Sequence, residues 1–222
     1  LRTSAEADFI FKLFRRNYLY NTWKSIQDDR RDVNTWLVKH DVGYIEFSRY
    51  IGLGIDQLFL SRSGGKRWVD AAPSNTSIAD QNALSFPNAK FIHMLRNGTS
   101  VVNSMIKSGF TTRWAQDFTK ACTDWVYYVG LAEKLSKDHP QRTMLVKYEE
   151  LVAEPETGFA MMHEFLNLAQ SSASADFMND NRMNSSYSSQ MVRPENPWDD
   201  WTDEQRGIFK QIAQETMERF SY

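Results

Sequence analysis

A single cysteine, Cys122, is the only thiol in the 222 residues. No disulfide can close within the chain, and zinc sites built on cysteine pairs are excluded. A surplus of positive charge is missing as well: 26 Lys and Arg stand against 28 Asp and Glu, a formal net charge of −2. Nucleic acids and anionic membranes are bound through such a surplus, so neither is expected as a partner, although a local basic pocket is compatible with this balance. No apolar run approaches the eighteen or so residues of a membrane span, and no charged-then-apolar leader opens the chain, so a soluble protein with no span is expected. A phosphate loop of the form Gly-x-x-x-x-Gly-Lys-Ser/Thr is also lacking. Gly64-Gly65-Lys66-Arg67 is the nearest phrase, but it precedes an apolar run where a phosphate loop would follow one.

What is present is enough apolar sequence, 41% of residues, for one sizeable core, and the chain is read as a single domain over 1–222. Three β-rich runs are expected as strands: Arg67 to Asp70, Lys90 to Leu95 and Thr143 to Tyr148. Each is followed by a helical pattern, which predicts a central parallel sheet with helices on both faces. Trp114, Phe118, Cys122, Trp125, Val129, Ala132 and Leu135 recur at three- and four-residue steps and predict a helix closed by His139-Pro140. Pro155 opens a second helix reaching Leu168, with Phe159, Met162, Phe165 and Leu166 on one face. Thr202 and Gln205 have capping-box spacing before a last helix that is expected to bury Ile208, Phe209 and Ile212. Residues 170 to 197, rich in Ser, Asn and Asp, predict a long loop, and the first sixty residues are read as mostly helical.

The stretch from Phe86 to Met105, FPNAKFIHMLRNGTSVVNSM, carries the chemistry. A buried strand ends in Arg96, turns through Asn97-Gly98 and enters a helix at Thr99 or Ser100. Strand end, tight turn and helix N-terminus together favour an anion, because free N–H groups and the helix dipole both attract negative charge. Arg96 adds a forked cation, and Ser104 could offer its hydroxyl to the same anion. On spacing alone, a surface ion pair for Arg96 and an ordinary helical place for Ser104 weigh equally.

This stretch resembles the 3′-phosphate-binding segment of the sulfotransferase family, in which a strand of the form KFI-x-x-x-R leads into a helix with a serine eight positions after the arginine. It is similar above all to tyrosylprotein sulfotransferases and to bacterial sulfotransferase-family proteins. Three further segments follow the family's order. LVKYEEL places Tyr148 where a strand-end tyrosine lies by the adenosine of the cofactor; otherwise it is an aromatic that plugs a strand end. The loop ending in Met191-Val192-Arg193-Pro194 resembles the cofactor-closing segment, with Arg193 as its basic residue and Ser185 or Ser186 as a hydroxyl donor. KRWVDAAPSN resembles a segment in which Trp precedes an acidic residue and a Thr-Pro step.

The resemblance implies a three-layer, P-loop-like α/β fold. It also implies 3′-phosphoadenosine 5′-phosphosulfate as sulfate donor, with Arg96, Ser104, Tyr148, Arg193 and Ser186 as its binding residues, and no metal. Transfer of a sulfuryl group to a hydroxyl or amine of a small-molecule, carbohydrate or protein-tyrosine acceptor is then expected. Departures accompany the match. The second arginine of the turn is replaced by Thr99, and Ala71 stands where many members carry a lysine after the acidic residue. Either Asp70 or Lys66 takes some part in its place or the role lies elsewhere; Asp70 is equally a cap for the turn before Pro73. The Arg-Ser-Gly-Thr-Thr-like loop for the 5′-phosphosulfate is not found. Since the chain opens on Leu1 with no strand ahead of its first helix, the N-terminal strand and loop are expected to be missing. No catalytic residue is assigned, and His40, His93, His139 and His163 all sit in contexts that suit structural roles. A non-catalytic nucleotide- or partner-binding descendant of the fold is the alternative. The lone thiol favours a reducing, cytoplasmic location, with the Golgi lumen as the alternative for a eukaryotic source.

Overall fold

The computed structural model describes residues 8–28, 35–107, 117–180 and 197–222. The chain divides into two compact units, Leu1–Ala89 and Lys90–Tyr222.

The first unit is helical in its described residues. Helix α1 (Asp8–Phe14) leads through a short 3₁₀ turn into α2 (Tyr18–Gln27), and Arg16 and Asn17 both adopt left-handed backbone between them. Two consecutive residues there cannot continue a right-handed helix, so the chain redirects at this point. Helices α3 (Trp36–Lys39), α4 (Tyr44–Arg62) and α5 (Ala79–Ser85) follow, with a 3₁₀ segment at Pro73–Ile78. The core shared by α1, α2, α4 and the 3₁₀ segment is Ile10, Phe14, Leu19, Ile55 and Ile78, packed round by Phe47, Phe59, Trp68 and Phe86. Beside it runs a connected polar group. The Tyr44 hydroxyl donates to Gln81 Oε1, Gln81 Nε2 donates to Ser48 Oγ at 2.7 Å and to Ser85 Oγ at 2.9 Å, and the two serine hydroxyls are 2.8 Å apart. Every member has a partner, the condition under which buried hydroxyls and amides are tolerated.

The strand expected at Arg67–Asp70 does not form. Residues 66–72 join no ladder among the described residues, whose one sheet has two strands. Side-chain anchoring fixes this run instead. The Trp68 indole N–H donates to Asp56 Oδ1 at 2.7 Å and its ring stacks on Phe59 at 4.4 Å, while Val69 is 72% exposed. Gly64, with φ of +66°, ends α4: Gly65 N–H reaches back to Leu60 O across it. That is a helix-terminating motif with glycine at its left-handed position. The Gly-Gly-Lys-Arg phrase is accordingly a helix stop.

The second unit has the layers the sequence predicts. Strands β1 (Phe91–Leu95) and β2 (Thr143–Lys147) pair in parallel from Phe91 opposite Thr143 to Leu95 opposite Lys147. Alternation sends successive side chains to opposite faces. Leu95 joins a core with Val102, Cys122, Trp125, Phe209 and Met217, contributed by α6 (Gly98–Lys107), α7 (Phe118–Asp138) and α11 (Asp203–Arg219). Ile92, Met144 and Val146 face the other way, toward Leu151, Met162 and Met178 of α8 (Tyr148–Ala153), α9 (Pro155–Leu166) and α10 (Ala173–Asp180). The parallel pair is therefore covered on both faces, as parallel strands require.

Helix α7 ends at Asp138 before His139-Pro140 as expected; Trp114 lies outside the described residues. Helix α9 stops at Leu166, two residues earlier than predicted, because Asn167 turns left-handed and Leu168 N–H bonds His163 O at 2.8 Å. Part of the expected loop is helix α10, which buries Ala175 and Met178. One short apolar pair in a Ser/Asn/Asp-rich stretch is too little periodicity to read. The capping box at Thr202 and Gln205 is present in full. The buried stripe of α11 runs through Phe209, Ala213, Thr216 and Met217, with Ile212 at its margin and Ile208 half-buried.

Candidate functional site

Because β1 and β2 are parallel and in register, their carboxyl ends lie side by side, and the next residues, Arg96 and Tyr148, emerge together. The Arg96 guanidinium lies over the Tyr148 ring, 4.9 Å from its centroid. A cation held on an aromatic face keeps its edge N–H groups available for an anion while the ring restrains its orientation. The carboxyl ends of parallel strands are where open α/β sheets receive ligands.

The turn between β1 and α6 is built on Asn97. Its Oδ1 accepts from Thr99 N at 2.9 Å and Thr99 Oγ1 at 2.6 Å, and its carbonyl accepts from Val101 N at 3.1 Å. This is an N-cap, and it starts α6 at Gly98, one or two residues before the sequence placed it. Gly98 is buried against Trp125: a Cβ there would lie 2.9 Å from the indole ring. The absence of that carbon lets the helix start sit directly over α7 beside the strand end. Ser104 stands seven residues after Asn97 and four after Ser100, on the same side of the helix by its 3.6-residue period. Arg96, Ser104 and the turn thus share β1–α6, and Tyr148 joins them from β2. Arg193, Ser185 and Ser186 lie outside the described residues.

Two further side chains belong to this turn, and no motif announced either of them. Glu149 Oε1 accepts from the backbone N–H of Asn97 at 2.9 Å, and Glu149 Oε2 accepts from the Tyr222 hydroxyl at 2.8 Å. Glu149 could have been suspected from its place next to Tyr148, whereas Tyr222 is 73 residues further on. Of the turn's donors, Asn97 N–H is engaged by a carboxylate and Thr99 N–H by the cap, so an incoming anion relies on Arg96 and the remaining helix start.

In the first unit, Asp70 has the capping role. Its Oδ1 accepts from Ala72 N at 3.3 Å and its Oδ2 from Asn75 Nδ2 at 2.7 Å, closing the turn into Pro73. In β1, His93 Nε2 is buried without a partner among the described residues, and burial lowers its pKa, so the imidazole is neutral near pH 7. No cluster of His, Cys, Asp and Glu suited to a metal occurs among the described residues, and no helix there is long and apolar enough to cross a membrane.

Fold and site together define an α/β protein whose parallel strands end in an arginine–tyrosine pair beside a capped helix start. The family model for the sulfotransferase family matches residues 12–172. Protein-tyrosine sulfotransferase A of Caenorhabditis elegans is 33% identical over 86 residues, which is 37% of this chain and 23% of that protein. The protein-tyrosine sulfotransferase of Drosophila melanogaster is 30% identical over 86 residues, 37% of this chain and 17% of that protein. The matched segment is thus less than a quarter of either relative's length. The sulfotransferase domain from the Synechococcus PCC 7002 olefin synthase shares the fold, with a TM-score of 0.52 at 20% identity over 97% of this chain and 80% of that one. The chain belongs to the sulfotransferase family.

Proposed function

We propose that this chain binds 3′-phosphoadenosine 5′-phosphosulfate and takes part in transferring its sulfuryl group to an acceptor. The observation that carries the reading is the Arg96–Tyr148 pair at the carboxyl ends of the two parallel strands. The donor chemistry fits the nucleotide half of the cofactor: a guanidinium for the 3′-phosphate, an aromatic ring for the adenosine portion and a helix start whose dipole favours negative charge. Ser104 supplies a hydroxyl from the second turn of α6, and Arg193 and Ser186 are assigned to closing the site over the nucleotide.

When bound, the cofactor supplies an activated sulfuryl group. In the reading proposed here, Arg96 holds the 3′-phosphate, Tyr148 restrains Arg96 and lies along the nucleoside, and Ser104 adds a hydrogen bond on the same side. Fixed cationic and polar donors lower the cost of transfer by orienting the reactant before the step begins. Protein tyrosine is the acceptor class proposed, after the printed names of the two animal relatives. A cytoplasmic setting is proposed from the lone cysteine.

One observation favours the non-catalytic alternative. Ala71 stands where a lysine is common in the family, and the neighbouring Asp70 carboxylate is engaged with Ala72 and Asn75. Calorimetric titration with 3′-phosphoadenosine 5′-phosphate, with ADP as control, tests the half-site. Clear preference for the 3′-phosphorylated nucleotide is expected, and equal affinity for the two would remove the reading. Sulfate transfer to a tyrosine peptide then separates enzyme from binding module.

A further inference from the structure

We propose that Tyr222 is a positioning residue for the Arg96–Gly98 turn and that it acts through Glu149. The inference rests on the reading of that turn as the 3′-phosphate half-site. Three segments far apart in sequence meet here. Glu149, directly after Tyr148, spans the gap between them: one carboxylate oxygen takes the Asn97 N–H at 2.9 Å and the other takes the Tyr222 hydroxyl at 2.8 Å. The same hydroxyl lies 3.4 Å from Leu95 O, at the last residue of β1.

The phenol is itself held from several sides. Ser221 is left-handed, with φ of 57°, Tyr222 N–H bonds Met217 O at 3.0 Å, and Ser221 N–H bonds Glu218 O at 3.0 Å. Those two bonds across a left-handed residue form the helix-ending motif that turns the chain back. The Tyr222 ring packs with Met217 against the core that contains Leu95, and Lys147 Nζ sits 5.2 Å from its centroid. Burial, and then the hydrogen bond to Glu149, push the phenol above its ordinary range, so it stays a donor at any pH near neutrality.

The chemistry gives this arrangement a purpose. Glu149 is an anion placed beside a turn that is to receive an anion, and its tether decides where its charge goes. With both oxygens engaged, the carboxylate braces Asn97 N–H. Without the Tyr222 hydroxyl, it is free to turn toward the guanidinium of Arg96 and compete with phosphate. Charged hydrogen bonds of this kind are worth roughly ten-fold in an equilibrium constant.

Tyr222→Phe keeps the ring and removes only the hydroxyl. Two measurements on the whole chain test it: affinity for 3′-phosphoadenosine 5′-phosphate, and amide hydrogen exchange at Asn97 with Ala213 in α11 as internal reference. The expected result is roughly ten-fold weaker nucleotide binding and roughly ten-fold faster exchange at Asn97, with Ala213 unchanged. Adding Glu149→Gln, which cannot pair with Arg96 as an anion, is expected to restore most of the affinity. Unchanged exchange at Asn97, or equal acceleration at Asn97 and Ala213, overturns the proposal. If the parent chain shows no preference for the 3′-phosphate, the half-site reading fails, and the exchange result still decides whether Tyr222 positions the turn.

Discussion

Trp125 closes its ring over Gly98 so tightly that a Cβ on the glycine would lie 2.9 Å from three of its carbons. The contact joins the middle of α7 to the first residue of α6, so the N-terminus that faces the candidate phosphate position is set by packing in the core as well as by the Asn97 cap. Core and site are not separable at this point.

Gly98→Ala is therefore expected to destabilise the chain by about 1–3 kcal/mol, the usual range for forcing a methyl into a filled site, and to weaken nucleotide binding as the helix start shifts. Urea unfolding measures the first effect and calorimetry the second. Pairing it with Trp125→Phe, which removes the clashing edge, should return part of the binding. Additive losses would show that the two residues are not coupled.

Stability is expected to fall as pH drops through the ordinary imidazole value of 6.5, with His93 as one contributor. Burial lowers its folded-state pKa below the ordinary 6.5. As pH falls through the unfolded value, the unfolded chain takes up a proton first, so protons are drawn toward unfolding until the folded imidazole also titrates. His93→Gln removes the share due to this imidazole and leaves a shallower dependence. A urea midpoint that varies with pH equally in both proteins contradicts it.

Cys122 has no exposed surface, and burial pushes its thiol up to about 12. The thiolate is the nucleophile that displaces the leaving group of an alkylating agent, so labelling at pH 8 is expected to proceed only as fast as the chain opens. Labelling in native buffer should accelerate in step with added urea. Rapid labelling of the folded chain would place the thiol outside the core.

Much of this was legible because it depends on local rules. Lys90 to Leu95 and Thr143 to Tyr148 are β-rich, mostly apolar runs of strand length, and they form β1 and β2 almost to the residue. Thr202 and Gln205 specify a cap within four residues, and it is there. Arg67 to Asp70 misled because Trp68 looks like a strand residue whether it faces a ladder neighbour or a helix, and only the position of Asp56 decides which. Helix α10 is not legible in the sequence because two buried apolar positions, Ala175 and Met178, in a mostly polar stretch leave no period to count. That Arg96 and Tyr148 meet could be read because each directly follows a strand. The Glu149–Tyr222 bond could not, since a hydrogen bond between residues brought together only by the fold leaves no trace in spacing.

The most direct measurement is the affinity of Arg96→Ala for 3′-phosphoadenosine 5′-phosphate and for ADP, set against the parent chain. Loss of a charge-assisted hydrogen bond of about 1.5–3 kcal/mol predicts roughly ten-fold or greater weakening for the 3′-phosphorylated nucleotide, with ADP nearly unaffected. Equal losses for both nucleotides, or none for either, would contradict the assignment of Arg96 to the 3′-phosphate.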